Sequence, residues 1–175
     1  MYSTTNALAR LVVTPRTRST LRRLRKDGIR LILLSTHPFG PRKSQRLLRT
    51  KLEHLGILKL FDSFQATALR PTSKPANIIN ILRRFEIPRS HALMVGDSYK
   101  WDYKPALKNR IPALLLDSDY APSLRVVPKS RRISELSDIL AIVRPSLCAQ
   151  RRAKRAIGEA GRRAAKRSDF SVSEY

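Results

Sequence analysis

Acidic residues are scarce in this 175-residue chain: 13 Asp and Glu stand against 36 Lys and Arg, for a net charge of +23. The first 52 residues hold only Asp27, so chemistry that needs an N-terminal carboxylate pair is excluded. A single cysteine, Cys148, rules out an internal disulfide framework and any multi-cysteine metal site. The longest apolar runs, such as Leu31 to Leu34 and Ala113 to Leu116, are too short to cross a bilayer, and no membrane partner is expected. With 6 Gly and 11 Pro the chain is not low-complexity. Its length suits one core of about 100–150 residues with a tail, and not two ordinary domains. The surplus of positive charge points to a polyanionic partner or a polyanionic assembly.

What is present is an alternation of short buried strands and helices. Ala7–Val13 reads as a short strand or a frayed arm. Thr14-Pro15 is an N-cap followed by proline at the first helical position. Leu21 and Leu24 give that helix a narrow apolar face, and Asp27-Gly28 stops it with a left-handed cap. Ile29–Leu34 is apolar except for Arg30, the pattern of a buried parallel strand, and it runs into Ser35-Thr36-His37-Pro38. Residues 42–55 form an amphipathic helix closed by Gly56. Phe61–Ala68 is a second strand, Lys74-Pro75 opens another helix, and Ala92–Val95 is a third strand ending at Gly96-Asp97-Ser98. A helix through Ala106-Leu107, a fourth strand at Ile111–Leu116 and a last amphipathic helix over Ile133–Val143 complete an open parallel α/β sheet.

Both ends are basic. An N-terminus poor in acid and rich in Ser, Thr and Arg through Thr20 has the look of a mitochondrial transit peptide; the alternative is a plain basic arm in an intracellular, cytoplasmic protein. From Pro145 the composition shifts to Arg, Lys, Ala and Ser, which divides the chain into an arm (1–13), a domain (14–144) and a flexible tail (145–175). In the tail Arg151, Arg152, Lys154, Arg155, Arg162, Arg163, Lys166 and Arg167 make a run suited to nucleic-acid phosphates, and its lack of apolar bulk leaves nothing to bury. No sequence-reading module is visible, so any RNA contact would be to the backbone.

In an open α/β sheet, ligands bind beyond the carboxyl ends of the strands. Ser35, with Thr36 beside it, Lys74 and Asp97 all fall at such ends or in loops near them. A hydroxyl donates to a phosphoryl oxygen, Lys74 offsets its charge, and Asp97 with Asp102 are hard oxygen ligands suited to Mg²⁺. Taken singly, each has a plain structural explanation: a cap, a solvated charge, a turn. His37, His54 and His91 show no ligand spacing and read as surface residues, while Trp101 and Tyr103 read as packing residues.

In order and spacing these segments resemble the haloacid dehalogenase (HAD) superfamily of phosphohydrolases. Its second motif, an apolar strand ending in Ser or Thr, is similar to Ile29–Ser35. Its third, a Lys commonly followed by Pro, is similar to Lys74-Pro75. Its fourth, an apolar strand entering Gly-Asp with a second Asp five residues on, is similar to Met94-Val95-Gly96-Asp97-Ser98-Tyr99-Lys100-Trp101-Asp102. The resemblance covers about residues 14–120. It implies a three-layer, Rossmann-like fold without a cap, Mg²⁺ at Asp97 and Asp102, phosphate binding by Ser35 and Thr36, charge stabilisation by Lys74, and a phosphorylated small molecule as substrate.

One motif departs from the family. Its first strand ends in Asp-x-Asp, the nucleophile and the general acid–base, and lies between the strands carrying the second and fourth motifs. Upstream of Ser35 there is only Asp27. Either Ala7–Val13 is a remnant of that strand, which puts Thr14 and Arg16 where the carboxylates belong, or Thr14–Lys26 is the helix before the second motif and the strand is missing; the second alignment is preferred. Thr14 lacks a base, and Arg16 cannot act as one. A missing strand leaves buried edges to be paired by Ala7–Val13 or by another chain. Leu114-Leu115-Leu116-Asp117-Ser118-Asp119, a strand at the sheet's edge, has the look of a permuted first motif. The expected function is a phosphatase-type domain, truncated or catalytically degenerate and inactive as written. The alternative is a pseudoenzyme scaffold that binds RNA within a ribonucleoprotein such as a ribosome.

Overall fold

The structure, a computed structural model, describes residues 12–70, 73–118 and 126–143. It groups the chain into two compact units, Met1–Asp138 and Ile139–Tyr175. Of the second unit only 139–143 are described, and they are helical. Residues 7–11 of the anticipated first strand and the whole basic tail lie outside the described residues, as does Asp119.

Helix α1 spans Pro15–Lys26, and Thr14 is its N-cap, with Oγ1 accepting from the Thr17 amide at 3.1 Å. Such a cap contributes about 1 kcal/mol. The helix ends at Asp27, and Gly28 takes φ +83, where a side chain would be strained. Thr14 and Arg16 belong to a helix start rather than to a strand end, and the Arg16 guanidinium pairs with Glu135 at 2.7 Å on the surface.

Strand β1 is Ile32–His37, so it starts later and runs further than the apolar run suggested, with Ser35 inside it. Residue 31 is held at its entrance by Asp62, whose Oδ2 accepts from the Leu31 amide (2.7 Å) and whose amide donates to the Leu31 carbonyl (2.8 Å). Helix α2 (Pro41–His54) follows, then a 3₁₀ turn at Leu58–Leu60, β2 (Ser63–Ala68), α3 (Ser73–Arg84) and β3 (Met94–Gly96). A π-helical turn, Tyr99–Tyr103, leads into the short α4 (Lys104–Lys108) and β4 (Ala113–Leu116).

The expected single helix over Ile133–Val143 is not observed. Arg132–Ile133 is β5, followed by a 3₁₀ turn at Leu136–Asp138 and the helical residues 139–143. Ile133 opposes Leu116 in the sheet, and Asp138 Oδ2 caps the Ser134 and Glu135 amides at 3.0 Å each, which breaks the helix before it starts. β4 therefore lies between β3 and β5, and not at the sheet's edge as anticipated.

All strand pairs are parallel, but the described strands form two sheets: β1–β2 on one side and β3–β4–β5 on the other. Among the described residues no backbone hydrogen bond joins β1 to β3. The two pieces nevertheless share packing. Leu34 of β1 sits against the cluster of Ile78 and Leu82 from α3 with Ala113 and Leu115 from β4. Leu33, on the other face of β1, packs against Leu48 and Leu52 of α2 and Ile57.

Candidate phosphate site at the carboxyl ends of the strands

Lys74 lies in the first turn of α3, after β2, and Asp102 lies in the π-turn after β3. Their side chains form an ion pair, with 7% of Lys74 and 3% of Asp102 exposed to solvent. An element following the β1–β2 sheet is thus tied to one following the β3–β4–β5 sheet by two opposite charges shielded from water. The turn is shaped to supply the acid. Ser98 caps it, its Oγ accepting from the Trp101 amide (3.1 Å), and the Asp102 amide donates to the Ser98 carbonyl (2.9 Å). Asp102 Oδ2 in turn accepts from the Ser98 amide at 3.2 Å. Gly96 is required by the same geometry: a Cβ there would overlap the Asp102 carboxyl. A π-turn in place of an α-turn shifts the following side chains around the axis, and such turns recur at functional sites. Neither the π-turn nor the close approach at Gly96 has a sequence signal beyond the Gly-Asp pair itself.

The other candidates are placed as follows. Ser35 and Thr36 are half-buried on β1 and project to opposite faces. Thr36 shares the face of Leu34, towards α3, and its Oγ1 lies 3.1 Å from Thr67 Oγ1, its partner in the strand register. Ser35 shares the face of Leu33, towards α2. Asp97, at the end of β3, is exposed. Asp117 follows β4 and is held by β5: its amide donates to the Ile133 carbonyl (2.8 Å) and its Oδ2 accepts from Ser134 Oγ (3.4 Å). The structure therefore brings Lys74 and Asp102 into contact and places Ser35, Thr36 and Asp97 on or next to β1 and β3.

His37 departs from the surface placement expected of it. It ends β1 at 5% exposure, with Nε2 buried and unpartnered among the described residues. Burial, and then the nearby Lys51 charge, lower its pKa below the usual histidine value. Its position on the face of Leu33 and Ser35, opposite Ala68 in the register, explains the burial. His54 and His91 are exposed as expected. Tyr103 is buried and stacks on Tyr99 with ring centroids 5.8 Å apart, a packing role.

Magnesium prefers several hard oxygens, commonly one or two carboxylates with waters and phosphate oxygens. Here Asp97 presents its carboxylate to solvent, while the Asp102 carboxyl is held by Lys74 and the Ser98 amide. No group of three or more His, Cys, Asp or Glu able to hold a metal occurs among the described residues. The described residues alone do not make a magnesium cage.

A family model for haloacid dehalogenase-like hydrolases matches residues 3–108, more than half of the chain. The chain belongs to the haloacid dehalogenase-like hydrolases. Solved structures agree on the fold. An uncharacterized protein from Listeria monocytogenes serotype 4b is 21% identical with a TM-score of 0.63, the match covering 75% of this chain and 79% of that one. A HAD phosphatase from Thermococcus onnurineus is 23% identical with a TM-score of 0.58, over 75% and 58% of the two chains. A putative HAD-hydrolase from Bacillus subtilis, solved bound to magnesium, is 14% identical with a TM-score of 0.61, over 75% and 56%. The chain thus spans little more than half the length of the latter two. No curated protein sequence matches it.

The pairing of Lys74 with Asp102 joins the segments that resemble the family's third and fourth motifs, and β1 is the segment that resembles the second. Residues 1–34 contain one carboxylate, Asp27, and it serves as the C-cap of α1.

Proposed function

We propose that this HAD-type domain binds the phosphoryl group of a phosphorylated small molecule at the carboxyl ends of its strands and does not hydrolyse it. The observation that carries this reading is the buried Lys74–Asp102 pair spanning the ends of the two sheets. An ammonium held there in water-poor surroundings has a stronger field than one in bulk solvent, and an incoming phosphoryl oxygen would share it with the carboxylate. Ser35 and Thr36 would supply hydroxyl donors from β1. Asp97, exposed at the end of β3, would contribute the hard oxygen for a divalent ion accompanying the substrate.

The missing step is nucleophilic attack. Phosphoryl transfer through a covalent enzyme intermediate needs a carboxylate aimed at phosphorus and a second acid to protonate the leaving group. Asp27 sits at the end of α1, away from the strand ends, and Asp117 is engaged with β5. Among the described residues neither is placed to attack, which supports recognition without turnover.

Two measurements on one purified sample test this. Inorganic phosphate should raise the melting temperature of the native chain and leave that of Lys74→Met unchanged. Hydrolysis of p-nitrophenyl phosphate should not exceed the buffer rate with or without Mg²⁺. Turnover that is abolished by Asp97→Asn would show that the chain is a working phosphatase. Absence of any phosphate effect on the native chain would remove the binding reading.

A further inference from the structure

The positive charge is unevenly distributed. Helix α1 has six Lys or Arg in its 12 residues and no acid, and α2 has five in 14 against a single Glu53. Helix α1 lies against the C-terminal end of α2 and the turn that follows it. Arg18 of α1 donates to the carbonyls of Leu55 (2.7 Å) and Gly56 (2.8 Å) at the end of α2, and Arg25 donates to the Lys59 carbonyl (3.0 Å) in the 3₁₀ turn between α2 and β2. Their apolar stripes, Leu21 with Leu24 and Leu48 with Leu52, are already buried. The outward faces expose Arg22, Arg23 and Lys26 on α1 and Arg42, Lys43 and Arg46 on α2. None of these six makes an ion pair among the described residues. The pairs that do form nearby, Arg25 with Asp62 and Arg49 with Glu53, lie at the margins.

We infer that the exposed basic faces of α1 and α2 together bind the phosphate backbone of a nucleic-acid strand. Each helix exposes three cations with no ion pair among the described residues, and a strand of phosphodiesters running past both would be held by counterion release. Four of the six are arginines, whose planar guanidinium grips phosphate oxygens in pairs. Phe39, 43% exposed just before α2 with the Lys43 ammonium 4.6 Å from its ring centroid, offers an aromatic surface on which an unpaired base can stack. An anionic membrane suits the face less well. Membrane-surface helices need an exposed apolar side to insert, and here that side faces the interior. The inference does not depend on the phosphoryl site, which lies at the strand ends.

The test compares two double variants of the full chain that lose equal charge: Arg22→Gln/Arg46→Gln on the face, and Lys129→Gln/Arg131→Gln on the exposed turn before β5. Binding of a fluorescein-labelled single-stranded oligoribonucleotide is followed by anisotropy between about 50 and 200 mM salt. The face variant should bind about tenfold more weakly at low salt and lower the log–log salt slope by about 1.4. The turn variant should change affinity by less than about twofold. Equal losses in the two variants would assign binding to net charge, and unchanged binding in the face variant would assign it elsewhere; either overturns the inference. So would tighter binding to phosphatidylserine vesicles than to RNA. Circular dichroism melts of both variants establish that they are folded, and singly substituted Arg22→Gln serves if either is not.

Discussion

The two sheets of this domain are built to different standards. In β3–β4–β5, the central strand is sealed: Ala113 and Leu115 are fully buried, against Tyr103, Ala106 and Ile111 from their own side and Ile78 and Leu82 from α3. In β1–β2, every residue from Ile32 to Thr36 is only partly buried, although most are apolar. Burial of apolar strands is normally deepest at the middle of a parallel sheet. Here the half-open strands are β1 and β3, which in the family's order flank the strand of the first motif, and the deeply buried strand is β4. The hydroxyls of the candidate site sit on one half and the acids on the other. Among the described residues the two halves are linked by side chains, the Lys74–Asp102 pair, Leu34 against the cluster around α3 and β4, and Arg16 with Glu135, where a continuous sheet would use backbone hydrogen bonds.

That contrast can be broken at the tie. Lys74→Met leaves the buried Asp102 carboxylate uncompensated, and stability in urea should fall by about 3–5 kcal/mol. Lys74→Met/Asp102→Asn, which removes both charges, should recover at least half of the loss. If the double variant is no better than the single one, the pair is not the link between the halves.

The contrast can be sharpened by equal deletions in the two cores. Leu115→Ala empties a fully buried site and should cost about 3 kcal/mol, whereas Leu33→Ala, at a partly exposed site, should cost about 1 kcal/mol. Equal costs in denaturant melts would mean that β1 is as tightly packed as β4. A smaller effect is expected at the outer edge of β2, where the Gln45 amide donates to the Phe64 carbonyl (3.1 Å) and accepts from the Ala66 amide (2.8 Å). Gln45→Ala should cost about 1 kcal/mol, read from the same melts.

The smallest effect is a pH dependence. His37 has a lowered pKa in the folded state, so the unfolded chain binds its proton more readily. Its contribution is present above the unfolded histidine pKa of about 6.5 and is lost as pH falls from there towards the folded value. The melting temperature should therefore drop on acidification through that window, and less so in His37→Gln. Parallel curves for the two chains would show that His37 is not responsible.

Much of this architecture was legible in the sequence where the signal is local. Thr14-Pro15 and Asp27-Gly28 mark the ends of α1 because capping and left-handed turns depend on a few adjacent residues. The run into Gly96-Asp97 and the Lys74-Pro75 start also lie where expected, whereas the ion pair of Asp102 with Lys74 was not anticipated. Features set by distant partners were not legible. Arg132–Ile133 is a strand only because β4 lies beside it, and two residues carry no period. His37 is buried because the strand runs two residues past Ser35, which follows from the register with β2 and not from the apolar run. The division of the sheet is likewise a property of pairing between remote segments, and no single stretch of residues encodes it.

The grip of Gln45 on β2 has a consequence for how copies of this protein behave in concentrated solution. Unsatisfied strand margins invite head-on addition of neighbouring molecules and, eventually, fibres. A side-chain amide occupying that margin as a surrogate strand closes the route on the β2 flank, and at the opposite flank β5 is two residues long and begins with an arginine. These two flanks are therefore poor templates for a further strand.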